Sequence, residues 1–289
     1  MKVCLSCERR FRADNWTCPS CGWAPSFDRG HPVFAPGLSN ASVDFRPAFL
    51  GPLAEIGPGN FWLENRSRLL AWALGTYFPD AHHFLELGCG PGLMLSGVQK
   101  KFPQLMLSGS DIFCDALSYA EAKVPGVTLF QMDARHIPFE DEFDVIGALD
   151  VLEHIEEDDM VLAQMFRATR RGGGIIVVVP QHAFLWSVHD ASLGHRRRYS
   201  REELVEKVKR AGFTILCVTS FHSLLLPFRL LSRKRKSKTL DEYDPIAILK
   251  VGKLTNVILR GIAGIERAII KSGIRLPAGG SLLVVARHH

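Results

Sequence analysis

From about residue 60 onward the chain alternates short apolar runs with longer stretches of helix-like spacing. The runs 84–87, 105–111, 143–150, 175–180, 213–218 and 281–286, with one more leading up to Asp133, have the length and branched apolar content of buried strands. Between them, Asn60 is placed to cap a helix that stops before Pro79, and Ser200 with Glu203 opens another that ends at Ala211 and Gly212. Strand and helix in alternation predict an α/β protein built on a doubly wound, largely parallel sheet. The ends of the first four strands carry a repeated chemistry. The first ends in Glu86 followed by Gly88, Gly90 and Gly92, and the next three end in Asp111, Asp133 and Asp150.

Ligands bind such sheets outside the carboxyl ends of the strands, so glycines and acids there predict a binding crevice. Glycines at alternate positions let a ligand approach the backbone and the following helix N-terminus. A carboxylate at the tip of the next strand, such as Asp111, accepts from both hydroxyls of a ribose. Taken in order, Glu86-x-Gly88-x-Gly90-x-Gly92, Asp111, Asp133 and the strand at 143–146 resemble the class I S-adenosylmethionine-dependent methyltransferases. Their loop has this GxGxG spacing, whereas nicotinamide-binding domains use GxGxxG.

The resemblance runs from about Asn60 to the C-terminus and implies a Rossmann-like sheet of seven strands, the last inserted antiparallel beside the sixth. It also implies S-adenosyl-L-methionine as cofactor, held by Glu86, Gly88, Cys89, Gly90, Gly92, Asp111, Ile112, Asp133, Ala134 and Leu149. Asp133 matches the position that meets the adenine amino group, with helix capping as its alternative. Arg66 is placed to meet the cofactor carboxylate, beside Trp62, for which core packing is the alternative. Asp150 and His154 fall where the reacting methyl group sits. His154 has the pKa range of a general base, against a neutral buried histidine bonded to backbone.

The segment 186–199 has the densest polar chemistry in the chain and resembles a loop of one methyltransferase subgroup, Trp-Ser-x-x-Asp-x-x-x-Gly-His-x-Arg-Arg-Tyr. Its place after the fifth strand makes His189 a catalytic candidate and Asp190, His195, Arg197 and Tyr199 candidates for gripping an anionic or sugar-like acceptor. The alternative is a loop stapled internally by an ion pair from Asp190 to an arginine. A metal site from these histidines is disfavoured because no regular ligand spacing appears.

Four of the seven cysteines stand at the N-terminus as Cys4-x2-Cys7 and Cys18-x2-Cys21. Two such knuckles present four thiolates to one Zn²⁺, and a segment of about 25 residues without its own core needs metal to fold. Residues 1–24 therefore read as a zinc ribbon. A disulfide pair is disfavoured in a reducing compartment, and a redox role lacks the strand-to-helix context. Trp16, Trp23 and Phe11 are placed to pack on the main domain, while Arg9, Arg10 and Arg12 are few for a phosphate footprint. Residues 25–59, rich in Pro and Gly, read as an extended linker over the surface. The remainder, 60–289, reads as the methyltransferase domain.

Charge and apolar content refine this picture. Apolar residues make up 47% of 289, enough for a sizeable core, and the net charge is +5. Residues 191–289 hold 20 Lys and Arg against 7 Asp and Glu, so the C-terminal part is expected to face something anionic. An insert at about 221–278 combines an apolar stretch, a basic run at 232–238, and a helical stripe of Val251, Leu254, Ile258, Ile262, Ile265 and Ile269. Lys253, Asn256, Arg260, Arg267 and Lys271 fall on another face. Such a helix suits an anionic membrane surface, or its stripe caps the domain. No run reaches the roughly 20 apolar residues of a spanning helix and no signal peptide appears, so the protein is expected in the cytoplasm, with possible peripheral membrane contact. The reading is a methyltransferase for a small-molecule, glycan or lipid-linked acceptor. An RNA methyltransferase using the ribbon for recognition is the alternative, with nucleic acid disfavoured, and a non-catalytic cofactor-binding assembly protein is the second. Oligomeric state is open.

Overall fold

A computed structural model describes residues 1–38, 47–57, 59–227, 230 and 243–289. In chain order the elements are β1 (Lys2–Val3), β2 (Arg10–Phe11), β3 (Ser26–Asp28), β4 (His31–Val33), α1 (Leu50–Ala54), α2 (Phe61–Tyr77), β5 (His83–Leu87), α3 (Leu93–Lys101) and β6 (Met106–Asp111). They continue with α4 (Cys114–Lys123), β7 (Thr128–Gln131), β8 (Phe143–Leu149), α5 (Asp158–Ala168), β9 (Thr169–Pro180), α6 (Val188–Ser192), α7 (Arg201–Arg210), β10 (Thr214–Phe221), α8 (Lys253–Lys271) and β11 (Ser281–Arg287).

The main sheet runs β10-β11-β9-β8-β5-β6-β7-β4-β3. Its inner strands pair in parallel, and β11 lies antiparallel between β9 and β10. Seven of these strands are those expected; the other two, β3 and β4, come from the 25–59 segment. There the chain adds to the sheet edge instead of only lying over the surface. The cause is a partner distant in the chain: the buried Gln131 side chain bonds both the N–H and the carbonyl of Ala35, and Phe34 N donates to Gln131 O at 2.8 Å. An edge strand left with free N–H and C=O groups is thereby covered.

Side chains alternate across the sheet. Leu85, Leu87, Ile146 and Val177 pack on one face with Leu162 and Leu204, whereas Phe84, Val145 and Val285 pack on the other with Leu70, Leu95 and Leu117. Trp16 of the N-terminal module joins the first layer, edge-on to Phe34 at 4.7 Å and to Phe139 at 5.5 Å. Val3 N donates to Pro138 O, and Arg10 is paired with Glu140. Trp16 and Trp23 thus dock the module on the domain, whereas Phe11 packs against Cys4 and Cys18 within the module.

Asn60 accepts from Trp62 N and Leu63 N and so caps α2, as its sequence predicts. Helix α8 does not cap the domain with its apolar stripe. Its polar residues face the body. Arg267 donates to Asn65, Arg260 pairs with Glu64, Asn256 accepts from Phe61 N, and the buried Glu266 carboxylate accepts from the N–H groups of His222, Ser223 and Leu224. The stripe of Leu254, Val257, Ile258 and Ile265 is exposed, Leu254 at 76%. Helical spacing identifies two stripes but does not say which one is buried, and here hydrogen-bond partners on α2 and after β10 decide. The basic run at 232–238 lies outside the described residues. Among the described residues no helix is long and apolar enough to cross a membrane.

Candidate cofactor and acceptor site

A cavity of about 1070 Å³ opens at the carboxyl ends of β5, β6, β7 and β8. The glycine loop after β5 shapes its floor at Gly88 and Gly90. Gly88 has φ +61° and an added Cβ would stand 2.6 Å from Val151 Cγ2, so only glycine fits there. Gly90, at φ +51°, has nothing within 4 Å of such a Cβ, so the backbone is bare where a ligand must approach. Gly92 does not line the cavity; it lets the start of α3 close on Ala120 of α4, with Ala120 Cα 3.0 Å from its would-be Cβ. Its expected cofactor contact is therefore replaced by helix packing.

Asp111 accepts from Gly90 N at 2.9 Å and Phe113 N at 3.0 Å, one bond on each oxygen. Burial pushes its pKa up despite these bonds. Glu86 is buried among the lining residues with Oε2 lacking a hydrogen-bond partner, and burial raises its pKa well above the carboxylate range. Such a group suits a cationic ligand, because a positive charge would restore its ionisation. Cys89, Ile112, Ala134 and Leu149 line the same space. Asp133 lines it too, but Arg135 grips its carboxylate, with Nε 3.0 Å from each oxygen and the backbone N–H at 2.9 Å. Burial opposes ionisation there, yet these bonds hold its pKa below the ordinary range.

Nε and Nη2 of Arg66 each donate to Asp150 at 2.9 Å, and the guanidinium stacks on Trp62 at 4.0 Å. Asp150 adopts a left-handed backbone, φ +55°, unusual for a non-glycine residue and common where function constrains the chain. Nη1 of Arg66 is buried without a hydrogen-bond partner. A carboxylate ligand fits that orphaned donor. Trp62 thus stacks on the site arginine as well as packing on the core.

The 186–199 segment folds back over the short turn 152–154, tied by Arg196 N to Glu153 O at 2.7 Å. His154, His189 and His195 line the cavity. Burial, then the neighbouring His195 ring, pushes the His154 pKa down to about 3, which leaves its ring neutral and a weak base near neutral pH. That environment is not the one a general base needs. His189 sits in α6 with Nδ1 3.3 Å from Tyr243 Oη.

Three residues expected to grip acceptor do not reach it. Asp190 is fully buried and binds Ser187 N, Ser187 Oγ, His195 Nδ1 and Arg198 Nη2, so the loop is stapled internally. Tyr199 is also fully buried and donates to Asp158 Oδ2 at 2.7 Å, and Arg197 pairs with Glu156 and Asp158. Arg198, not Arg197, lines the cavity. The segment bridges Gln181 as a strand would, so residues 197 and 199 share one face and 198 takes the other. Alternation in an extended loop was the signal that could have found it. An apolar side of the cavity, from Leu225, Pro245, Ile246 and Leu249, also went unseen because it is assembled from the insert.

The sheet order and the crevice at its carboxyl strand ends are similar to those of Rossmann-like, S-adenosylmethionine-dependent methyltransferase domains. Residues 84–173 match the family model described as Methyltransferase domain. The chain is 34% identical over 101 residues to a phosphatidylethanolamine N-methyltransferase of Cereibacter sphaeroides, covering 32% of this chain and 48% of that protein. It is 28% identical over 103 residues to a trans-aconitate 2-methyltransferase of Azoarcus sp., covering 36% of this chain and 41% of that one. The chain thus spans about half the length, or less, of these relatives. A solved S-adenosylmethionine dependent methyltransferase from Mesorhizobium loti shares the fold with a TM-score of 0.53 at 15% identity, covering 78% of this chain and all of that one.

Proposed function

We propose that this chain transfers the methyl group of S-adenosyl-L-methionine to a small-molecule acceptor carrying a lipid-like or glycan part. The observation that carries this is the joint cavity, which unites the bare glycine backbone and acidic strand ends with a wall of His154, His189, His195 and Arg198 and an apolar side from the insert. Its volume lies just above the roughly 300–1,000 Å³ typical of ligand pockets, room for two ligands side by side. The relatives named for phosphatidylethanolamine and trans-aconitate are in keeping with an acceptor of this size.

When bound, the cofactor supplies an electrophilic methyl on sulfonium, so the protein's part is to orient and exclude water. Asp111 would take the ribose, Arg66 the carboxylate and Glu86 the amino group. Arg198 and the histidine wall would hold a polar acceptor, and Leu225, Ile246 and Leu249 its apolar part. Methyl transfer from labelled cofactor into extract fractions tests this: label in lipid or small-molecule fractions supports it, label in RNA favours the alternative, and no label with cofactor bound points to a non-catalytic role. The ribbon's Arg10 is already paired with Glu140, which weakens an RNA role for it.

The exposed stripe of α8 supports contact with a membrane surface. Leu254→Glu with Ile258→Glu should lower sedimentation with anionic vesicles at least tenfold while leaving adenosylhomocysteine binding unchanged. Vesicle binding equal to wild type would remove the membrane part of the reading.

The clustering of Cys4, Cys7, Cys18 and Cys21 supports a structural Zn²⁺ site. Sγ of Cys4 and Cys21 are 3.6 Å apart and those of Cys7 and Cys18 are 3.7 Å apart. Four thiolates about 2.3 Å from a tetrahedral zinc stand about 3.8 Å from one another. Replacing Cys4 and Cys7 by serine should release about one zinc per chain by metal analysis.

A further inference from the structure

Beside the cavity, and apart from the cysteines, three ligating side chains converge. One ring nitrogen each of His154 and His195 and a carboxylate oxygen of Glu153 lie within 4.8 Å of one another. Glu153 is fully buried, and neither of its oxygens has a hydrogen-bond partner. A buried carboxylate without partners is costly unless a proton or a cation joins it. The two buried arginines nearby are each matched to another acid, Arg66 to Asp150 and Arg198 to Asp190.

The tautomer of His195 sharpens the point. Its Nδ1 lies 3.1 Å from Asp190 Oδ1, and its Nε2 lies 4.0 Å from Glu153 Oε1. If Nδ1 carries the proton toward Asp190, Nε2 turns a lone pair toward an acceptor oxygen, and a cation fits between them. A carboxylate behind a histidine is also the arrangement that orients metal-ligating imidazoles. The turn 152–154 supplies two ligands and the stapled loop the third, so the Asp190 network positions His195 against Glu153.

We propose that Glu153, His154 and His195 bind one divalent transition-metal cation in the wall of the acceptor cavity. Two imidazoles and one carboxylate suit Zn²⁺, Fe²⁺ or Co²⁺ better than Mg²⁺ or Ca²⁺. Bond lengths of about 2.0–2.2 Å require the ligand atoms to close by about 1 Å from their present spacing. Three protein ligands leave a position for an acceptor oxygen, which the cation would polarise. Binding of the cation stands independently of methyl transfer.

The test is equilibrium dialysis of the zinc-containing protein against Co²⁺, with both metals counted per chain and the visible spectrum recorded. The expected result is one Co²⁺ beyond the retained zinc, ligand-field bands without thiolate charge transfer, and at least a tenfold loss of affinity in Glu153→Gln and His195→Ala. Adenosylhomocysteine binding reports that each variant is folded; where a variant fails that check, the wild-type spectrum decides. No Co²⁺ taken up by the wild type, thiolate-to-cobalt bands, or unchanged uptake by both folded variants overturns the proposal.

Discussion

Asp111→Ala is expected to weaken adenosylhomocysteine binding by roughly 10²- to 10⁴-fold, measured by titration calorimetry. A carboxylate accepting from two ribose hydroxyls contributes about 1.5–3 kcal/mol per charged hydrogen bond, or about 3–6 kcal/mol together. The substitution also removes the acceptor for Gly90 N and Phe113 N, which frees the glycine backbone from the tip of β6. Both effects act at the crevice, so the loss should appear in affinity more than in fold. A change below threefold would show that the ribose does not sit at this strand end.

Asp190→Asn is expected to lower stability by about 3–5 kcal/mol, the cost of leaving a buried charge without its partner. For a chain of this size that is on the order of 10 °C in melting temperature. The side chain of Arg198 is 2% exposed and has its ion pair at 2.7 Å on this acid. Burial opposes ionisation of Asp190, but the hydrogen bond with His195 and the charge of Arg198 hold its pKa well below the ordinary value. A depressed folded pKa gives stability that is fully present above the unfolded value, about 3.9, and is lost as pH falls through the folded one. The difference between wild type and variant should therefore be full near neutral pH and shrink as pH falls below about 4. Equal melting temperatures at neutral pH would mean that the staple contributes nothing.

The crevice was legible because strand ends are marked locally: Glu86, Gly88, Gly90, Asp111 and Asp133 each follow an apolar run within a few residues, and all of them line the cavity. The acceptor side was not. Asp190, Arg197 and Tyr199 have the chemistry of a grip, yet ion pairs and burial spend them on holding the loop. Glu153 is not legible in the sequence because it stands between a leucine and a histidine at the entry to an acidic helix, and its lack of hydrogen-bond partners exists only once the 186–199 loop has closed over it.

By itself the sequence determined the strand and helix alternation, the glycine and acid crevice at the carboxyl strand ends, and the paired cysteine knuckles, because each is written in contiguous residues under short-range steric and spacing rules. Only the tertiary structure decided which stripe of α8 is buried, that β3 and β4 extend the sheet, and that Glu153, His154 and His195 meet. Those outcomes depend on partners far apart in the chain, such as Arg267 on Asn65 and Gln131 on Ala35. Local periodicity does not encode the competition among such partners for the same buried positions.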